Sequence, residues 1–432
     1  MAAVIAAKLE SLLDSPTEIQ TWEQLDPMLQ ARIEKAVAQH PPQTYLTPTT
    51  VESLSVIVNQ ASQHKWPMLL CGNGSKLAWG GLVKKADLVL STQKLNRIID
   101  HASADLTVTV EAGVKLADLQ AFLAPHRQFL PIDPSYDDQA TIGGIMATAD
   151  SGSWRQRYGG VRDLVLGFSF VRWDGKIAKA GGRVVKNVAG YDLMKLFTGS
   201  YGTLGVITQV TFRLYPLPEA SKTVLLTGES QALATTCQAL LQSGLAPTAA
   251  DVLSAPLMRS LNLGDHLGLL VRFQNIPESV DEQAKQLITL GEKVGLTYNV
   301  LTEESETTLW QQLKTRMLSP TTVSAATCKI GMMPNQVVNF LQQCPSLAQI
   351  YLGSGLGRLL LETDSEISQL LQTRSRCENN RGFLTILEAS QAIKNQYEPW
   401  GYQGNGLALM RRLKEKFDPN FLFNSGRFVG GV

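Results

Sequence analysis

The feature that most constrains this chain is a set of four glycine-rich loops between residues 71 and 207. They read CGNGSK (71–76), TIGGIMATADSG (141–152), AGGRVVKNVAGYD (180–192) and GSYGTLGVI (199–207). Glycine admits the left-handed backbone angles that aim several N–H groups at one point, and it lets backbone approach a ligand closely. Because each loop lies beside a predicted strand, the set indicates backbone laid along a large, flat ligand. Any one loop taken alone could be an ordinary tight turn.

The two common phosphate-binding motifs are incomplete in the first of these loops. Gly72-x-Gly74 lacks the third glycine of a dinucleotide-binding turn, since Leu77 stands at that position. The spacing G-x-x-x-x-G-K-[ST] of a P-loop does not occur in the sequence. The ligand is therefore not expected on a Rossmann fold or a P-loop.

A second G-x-G pattern, at residues 353–355, follows the strand-like residues IYL. Arg358 occupies the place of the third glycine, and the next residues, LLLE, resemble a returning strand. Thr363 and Glu366 then have the spacing of a helix capping box. This pattern predicts a hairpin followed by a helix.

Length and charge limit the class of protein. With 432 residues, the chain is expected to form two or more domains. Its net charge of +1 gives no field that would attract nucleic acid, and no apolar run is long enough for a membrane span. The N-terminus has no basic region typical of a signal peptide. We expect a cytoplasmic protein that partners could hold at a membrane.

Cysteine and histidine are too scattered to predict a metal site. The five cysteines include no C-x-x-C pair, and the five histidines form no H-x-H or H-E-x-x-H motif. Buried, reduced thiols are the expected role of the cysteines.

The pattern of predicted elements divides the chain into four segments. Residues 1–45 are helical, and residues 46–218 combine strands and helices with the glycine loops. From 219 to 395 a β–α–β–β–α–β order predicts an antiparallel sheet covered by helices, as in ferredoxin-like α+β domains. Residues 396–432 hold one helix and a turn-rich tail, which is expected to return to the 46–218 domain.

The order of these motifs resembles a known family. The strand with CGNGSK, then LPIDP (130–134), the 140–160 loop, the 180–207 region and the DPNFLFNSGRF tail resemble the FAD-binding domain of the vanillyl-alcohol oxidase type. Within that superfamily the chain is most similar to the FAD-binding subunit of glycolate oxidase (glycolate dehydrogenase). The resemblance implies an α+β fold, with a two-subdomain FAD-binding domain and an antiparallel-sheet cap.

The resemblance also implies a set of cofactor-binding residues. The first loop would hold the FAD diphosphate, LPIDP would line the approach to the ring, the 140–160 loop would contact diphosphate and flavin, and the last loop would contact adenine and ribose. The residues are Gly72, Asn73, Gly74, Ser75, Lys76, Asp133, Pro134, Thr141, Gly143, Gly144, Ser151, Gly152, Tyr158, Gly202, Gly205, Val206 and Ile207. Asp150 stands where many oxidases of the wider family have Asn.

Two further expectations concern the flavin. Relatives that tether it use a His in the first loop, or a Cys or His further on; here Ser75 stands at the first-loop position, so non-covalent FAD is expected. Arg183 and Lys186 are candidate cations near the ring, where positive charge stabilises the reduced anionic form. A surface or structural role is an equal alternative for both.

The cap departs from relatives that oxidise 2-hydroxy acids. Their H-x-G-D-G-N-x-H stretch corresponds to YLGSGLGR here, so Tyr351 and Arg358 replace the two histidines and Ser354 replaces the Asp. No imidazole remains there to accept a hydroxyl proton or bind a metal. No catalytic residue is therefore assigned.

Three functions are compatible with these observations. The first is an FAD-binding subunit of a glycolate-oxidising complex, beside a catalytic flavoprotein and an iron–sulfur subunit. The second is an independent FAD-dependent D-2-hydroxy-acid dehydrogenase, and the third a non-redox scaffold without cofactor. The missing histidines favour the first over the second, and the intact glycine loops disfavour the third. Electron acceptor, stoichiometry and the choice between glycolate and D-lactate stay open.

Overall fold

The computed structural model describes residues 5, 8, 9, 12, 17–182, 191–318 and 326–432. In chain order the strands are β1 (Thr17–Thr21), β2 (Thr44–Pro48), β3 (Met68–Cys71), β4 (Leu88–Ser91), β5 (Ile98–Ala102), β6 (Thr107–Glu111), β7 (Gln128–Phe129), β8 (Val165–Val171), β9 (Ile177–Gly181), β10 (Val206–Arg213), β11 (Tyr215–Pro216), β12 (Ala220–Thr227), β13 (Ala249–Leu253), β14 (Gly268–Asn275), β15 (Thr297–Leu301), β16 (Ala326–Gly331), β17 (Leu347–Tyr351), β18 (Leu356–Leu361) and β19 (Phe383–Ala389). The helices are α1 (Pro27–Glu34), α2 (Val51–His64), α3 (Leu116–Leu123), α4 (Ile142–Thr148), α5 (Arg155–Tyr158), α6 (Val161–Leu164), α7 (Leu193–Phe197), α8 (Ser230–Gln242), α9 (Ala255–Ser260), α10 (Pro277–Glu292), α11 (Glu303–Met317), α12 (Val337–Gln342), α13 (Asp364–Ser368), α14 (Leu370–Asn379), α15 (Gln391–Gln396) and α16 (Leu407–Phe417).

These elements form two compact units. Unit 1 comprises residues 1–150, 160–216 and 391–432, and unit 2 comprises residues 151–159 and 217–390. The domain boundaries predicted after residues 45, 218 and 395 stay predictions. The short segment 151–159, which the sequence gives no reason to separate from its neighbours, belongs to unit 2.

The first sheet of unit 1 has four strands in the order β1-β2-β4-β3, with β2 and β3 parallel to β4. Its central strands are continuous buried runs, as expected for parallel strands covered on both faces. Helix α2 follows β2 in the chain, and the Thr50 hydroxyl caps it by accepting from the Ser53 N–H at 3.1 Å. Its apolar residues Leu54, Ile57 and Val58 are fully buried against this sheet's core.

The second sheet of unit 1 has five antiparallel strands in the order β5-β6-β10-β8-β9. Successive side chains of a strand point to opposite faces of the sheet, and the apolar ones face the core. Val210 and Phe212 of β10 are fully buried in the core that includes Val108 and Val110 of β6. An Asp-Gly turn joins β8 to β9, and Gly175 there has a φ of +79°. Strand β1 lies within residues 1–45, which the apolar spacing predicts to be helical; that prediction is wrong for residues 17–21, which pair with β2 instead. Strand β5 has no alternating apolar pattern that would predict it.

Unit 2 is built on one antiparallel sheet of eight strands, in the order β15-β12-β14-β13-β17-β18-β16-β19. The hairpin predicted around residues 353–355 is β17–β18. The predicted capping box begins α13: Glu366 N–H donates to the Thr363 hydroxyl at 3.3 Å, and Thr363 N–H donates to the Glu366 carboxylate at 2.9 Å. The predicted α+β class is confirmed, and the sheet is larger than a four-stranded ferredoxin-like sheet.

The helices also bear on membrane insertion. Of those within the described ranges, none combines the length and apolar character that crossing a bilayer requires.

Candidate functional site

A cavity opens in unit 1 where β3 ends and the chain enters the first glycine loop. Its volume is about 690 Å³, counted out to its open mouth. The lining residues are Leu70, Cys71, Gly72, Asn73, Gly74, Ser75, Lys76, Leu77, Thr92, Ala140, Thr141, Gly143, Gly144, Ala147, Thr148, Tyr201, Gly202, Gly205, Val206, Ile207, Asn424 and Arg427.

Three of the four glycine loops meet at this cavity. The predicted residues that line it are Gly72, Asn73, Gly74, Ser75, Lys76, Thr141, Gly143, Gly144, Gly202, Gly205, Val206 and Ile207. The other predicted residues are not among its lining: Asp133 and Pro134 lie elsewhere in unit 1, and Ser151, Gly152 and Tyr158 belong to unit 2. Arg183 and Lys186 lie outside the described residues.

The geometry explains why glycine stands at two of these positions. A Cβ on Gly72 would lie 2.0 Å from the Thr141 hydroxyl oxygen, so only glycine lets these two walls come together. At Gly144 an added Cβ would meet the same hydroxyl at 3.2 Å and nothing else within 4 Å. A Cβ at Gly144 would therefore require the Thr141 hydroxyl to shift by a few tenths of an ångström and would meet no backbone atom within 4 Å outside its own helix and chain neighbours.

The first loop carries one buried ion pair. Lys76 Nζ lies 2.8 Å from the Asp150 carboxylate, and both side chains are almost completely buried. Asp150 also accepts a hydrogen bond from the Ser135 N–H at 2.8 Å. A buried charge is costly unless it is paired, and here each partner meets that requirement for the other. The carboxylate at position 150, where an Asn is common in the wider family, thus fixes the lysine of the glycine loop.

Cys71, which lines the cavity, lies next to the buried phenol of Tyr45. Their Sγ and hydroxyl oxygen are 4.0 Å apart. Burial raises the pKa of the Cys71 thiol to about 11, and burial likewise raises the pKa of Tyr45. Both groups are neutral at physiological pH, so Cys71 is a thiol and not a nucleophilic thiolate.

The lining also includes Asn424, Arg427 and Tyr201, which the family resemblance does not assign to the cofactor site. Asn424 and Arg427 belong to the tail, and Tyr201 precedes Gly202 with a φ of +56°. The signal that could have found the first two is the tail sequence DPNFLFNSGRF, whose polar residues stand in an otherwise apolar turn-rich segment. The signal that could have found Tyr201 is the fourth glycine loop (199–207), which contains it.

Unit 2 contains a separate buried polar cluster. Ser153 Oγ donates to the Asp251 carboxylate at 2.5 Å, and Gln349 Nε2 donates to the same oxygen at 2.8 Å. All three side chains are at most 2% exposed. Burial raises the pKa of Asp251 to about 7, against the two hydrogen bonds that lower it.

The residues that replace the two histidines of the relatives lie in the β17–β18 hairpin of unit 2. Tyr351 is the last residue of β17, and Arg358 of β18 pairs in register with Gln349. Both side chains are nearly buried. The described part of the chain contains no cluster of three His, Cys, Asp or Glu side chains able to hold a metal, and none of the five histidines lines the cavity of unit 1.

Comparison with known proteins shows a match to a cofactor-binding family in the part of the chain that contains two of the loops of the cavity. Residues 42–181 match the model of the FAD binding domain family. The chain is 27% identical over 423 residues to glycolate oxidase subunit GlcD of Bacillus subtilis (strain 168), covering 90% of this chain and 89% of that protein. It is 39% identical over 165 residues to glycolate oxidase subunit GlcE of Escherichia coli (strain K12), covering 38% of this chain and 47% of that protein.

A protein of known structure shares this fold. The structure of 4-ethylphenol oxidase from Gulosibacter chungangensis, an isoeugenol complex, superposes with a TM-score of 0.75 at 14% identity and covers 98% of this chain and 96% of that one. Residues 42–181 therefore form an FAD binding domain, and the chain shares the fold of that oxidase. The cofactor of this chain is FAD.

Proposed function

We propose that this chain is the FAD-binding subunit of a complex that oxidises glycolate or a similar 2-hydroxy acid. The oxidation of such a substrate removes a hydride from carbon 2 and a proton from the hydroxyl, leaving a 2-oxo acid. FAD held by this chain would supply a redox group to such a complex. The observation that carries the proposal is a glycine-lined cavity suited to FAD, together with a second unit that has Tyr351 and Arg358 where relatives have histidines.

Each half of this observation supports one part of the proposal. The cavity offers close backbone and a buried Lys76–Asp150 pair, which fits retention of the cofactor. The second unit lacks an imidazole at the positions where relatives accept the hydroxyl proton, which supports a catalytic partner. The likeness to glycolate oxidase subunits GlcD and GlcE supports the choice of glycolate and of a multi-subunit assembly.

Electron transfer also favours a partner. The reduced cofactor has to pass two electrons on, and no spacing of the five cysteines resembles an iron–sulfur motif. We therefore infer a second flavoprotein subunit and an iron–sulfur subunit as partners, and an attachment to the membrane, if any, through them.

The test is a turnover assay on the purified chain with glycolate, D-lactate and an artificial dye acceptor. It is carried out on the chain alone and after co-expression with candidate partners. The expected result is a yellow protein with little turnover alone and clear glycolate turnover in the complex.

Arg358→Ala, with the exposed Arg259→Ala as the matched control in unit 2, separates the alternatives. Robust turnover by the lone chain that is lost in Arg358→Ala and kept in Arg259→Ala would refute the subunit proposal. It would identify an independent D-2-hydroxy-acid dehydrogenase instead. A protein that never binds flavin would refute both.

A further inference from the structure

The C-terminal tail holds two walls of the cavity together through Asn424. Its side-chain oxygen accepts the Leu70 N–H at 2.8 Å, and its amide nitrogen donates to the Tyr201 carbonyl at 2.8 Å. Leu70 precedes the first glycine loop and Tyr201 lies in the last one. One side chain from the tail therefore sets the spacing between two loops that line the cavity.

Arg427, three residues later, binds the first glycine loop directly. Its Nη2 donates to the carbonyls of Lys76 at 2.7 Å and Leu77 at 2.9 Å, and its Nε donates to the Trp79 carbonyl at 3.2 Å. The side chain is 5% exposed. A planar guanidinium can hold several acceptors in fixed directions, which a lysine ammonium cannot do. The turn that follows Gly74 is thus shaped by a residue about 350 positions away.

The charge of Arg427 has no acidic partner among the described residues. Its contacts are three carbonyl oxygens and the ring of Tyr201, whose centroid lies 5.8 Å from the guanidinium carbon. Burial lowers the pKa of Arg427 to about 10, which leaves it protonated at neutral pH. The other cation of the lining, Lys76, is neutralised by Asp150. The cavity of unit 1 is therefore built with one buried positive charge in excess.

We propose that Arg427 positions the first glycine loop and also supplies the positive charge that neutralises the diphosphate of the bound cofactor. A buried cation without a counter-ion is unfavourable, and an anionic group in the cavity would relieve that cost through charge-assisted hydrogen bonds or direct attraction. The proposal rests on FAD as the ligand of this cavity but not on the substrate proposed above, so the two can fail separately.

The test compares FAD with riboflavin, which has the same ring system but no diphosphate. The deflavinated full-length protein is titrated with each ligand, and binding is followed by flavin fluorescence at low and high salt. The variants are Arg427→Met and Arg427→Lys, with Arg412→Met as control because Arg412 is exposed on α16. No 2-hydroxy acid enters the experiment.

Arg427→Met is expected to lower the affinity for FAD at least about 30-fold, the loss typical of removing one side of a buried charge pair. The affinity for riboflavin should change less than about threefold, and the salt dependence of FAD binding should become shallower. Arg427→Lys, which keeps the charge but not the planar fork, should fall between wild type and Arg427→Met for FAD. Arg412→Met should behave as wild type.

Three results would overturn the proposal: FAD affinity of Arg427→Met within about threefold of wild type, an equal loss of FAD and riboflavin, or full FAD affinity in Arg427→Lys. Far-ultraviolet circular dichroism of the deflavinated proteins shows whether each variant is folded. If Arg427→Met does not fold, Arg427→Lys decides alone: a loss confined to FAD supports the proposal, and unchanged FAD binding overturns it.

Discussion

The two units bury polar groups in different ways. In unit 1 the cavity is made chiefly of backbone: glycines bring loops within contact distance, and the buried carboxylate of Asp150 is paired with Lys76. In unit 2 the polar cluster is made of side chains on strands, and the carboxylate of Asp251 has only a hydroxyl and an amide as donors. The first arrangement keeps a charge that a cation neutralises, whereas the second favours an uncharged acid.

This difference separates ligand binding from proton-linked stability. A backbone cradle is sensitive to any added side-chain volume but insensitive to pH near neutrality. A buried acid without a cation responds to pH but tolerates an isosteric amide.

The largest effect is expected from Gly144→Val. The added Cβ meets only the Thr141 hydroxyl, at 3.2 Å, so the branched side chain would occupy the cavity and exclude FAD while the fold stays intact. We expect no measurable FAD in the purified variant and a near-native far-ultraviolet circular dichroism spectrum. Gly244→Val in unit 2 is the control, since its Cβ meets nothing within 4 Å. Stoichiometric FAD in Gly144→Val would contradict the placement of the cofactor.

Gly74→Val is also expected to lose FAD, but it is a less selective test. Gly74 has a φ of +77°, and an added Cβ would lie 3.0 Å from Leu29. A branched residue there strains the loop itself. Its loss of FAD would therefore combine a blocked cavity with a distorted wall.

The second-largest effect is expected from Lys414→Met in unit 1. Lys414 on α16 is fully buried; its ammonium donates to the carbonyls of Thr203 and Phe423, each at 2.8 Å, and lies 2.6 Å from the Asp418 carboxylate. Removing the cation leaves Asp418 charged and buried, which typically costs about 3–5 kcal/mol. The measurement is the unfolding free energy of the deflavinated protein in urea.

Lys416→Met, on the exposed side of the same helix, is the control for Lys414→Met. The double variant Lys414→Met/Asp418→Asn should recover part of the loss, because no charge is then left without a partner. A loss below about 1 kcal/mol in Lys414→Met would show that this buried pair contributes no more than a typical exposed one.

The sequence predicts the cavity of unit 1 far better than the cluster of unit 2. The cavity residues sit in contiguous glycine motifs, so Gly72, Thr141 and Gly202 can be assigned from local spacing and family resemblance. Asp251 lies 98 residues from Ser153 and on a different strand from Gln349. Only the strand register brings such residues together, and nothing in the local sequence encodes that register.

The segment 151–159 is a second case in which the local sequence does not show which residues lie together. It begins inside the second glycine loop (141–152), and the family resemblance implies that Ser151, Gly152 and Tyr158 contact the cofactor. In the structure the segment belongs to unit 2, where Ser153 donates to Asp251 and Gly353 N–H donates to Gln156 at 3.1 Å. Those partners are about 100 and 200 positions away, and therefore no sequence motif reports them.

The third prediction concerns pH and unit 2. The pKa of Asp251 is raised by burial to about 7 from 3.8, so its neutral form is the one that stabilises the fold. This contribution is fully present below pH 3.8 and is lost as pH rises through 7; a shift of this size corresponds to at most about 4 kcal/mol. Asp251→Asn imitates the neutral acid and should remove the dependence.

Hydrogen exchange of peptides covering β13 and β17, compared between wild type and Asp251→Asn at each pH, measures this contribution. Wild type should lose protection relative to the variant between pH 5 and pH 8. Asp265→Asn, at an exposed position of unit 2, is the control and should follow wild type throughout. A constant difference between wild type and Asp251→Asn across that range would mean that Asp251 does not titrate there.

The smallest effect is expected at Cys71, the cysteine that lines the cavity. With its pKa raised to about 11 from 9.0, the thiolate at neutral pH is about 100-fold scarcer than for an unperturbed thiol. A covalent bond to flavin needs the thiolate as nucleophile, so FAD should be held without one. Acid precipitation should release all flavin into the supernatant, and Cys71→Ser should keep stoichiometric FAD with an affinity within about twofold of wild type.

Cys237→Ser, a buried site of unit 2, is the matched control. Flavin that stays in the acid pellet of wild type, but not of Cys71→Ser, would show that Cys71 tethers the cofactor despite its burial. Flavin that stays in both pellets would place a covalent link elsewhere in the chain.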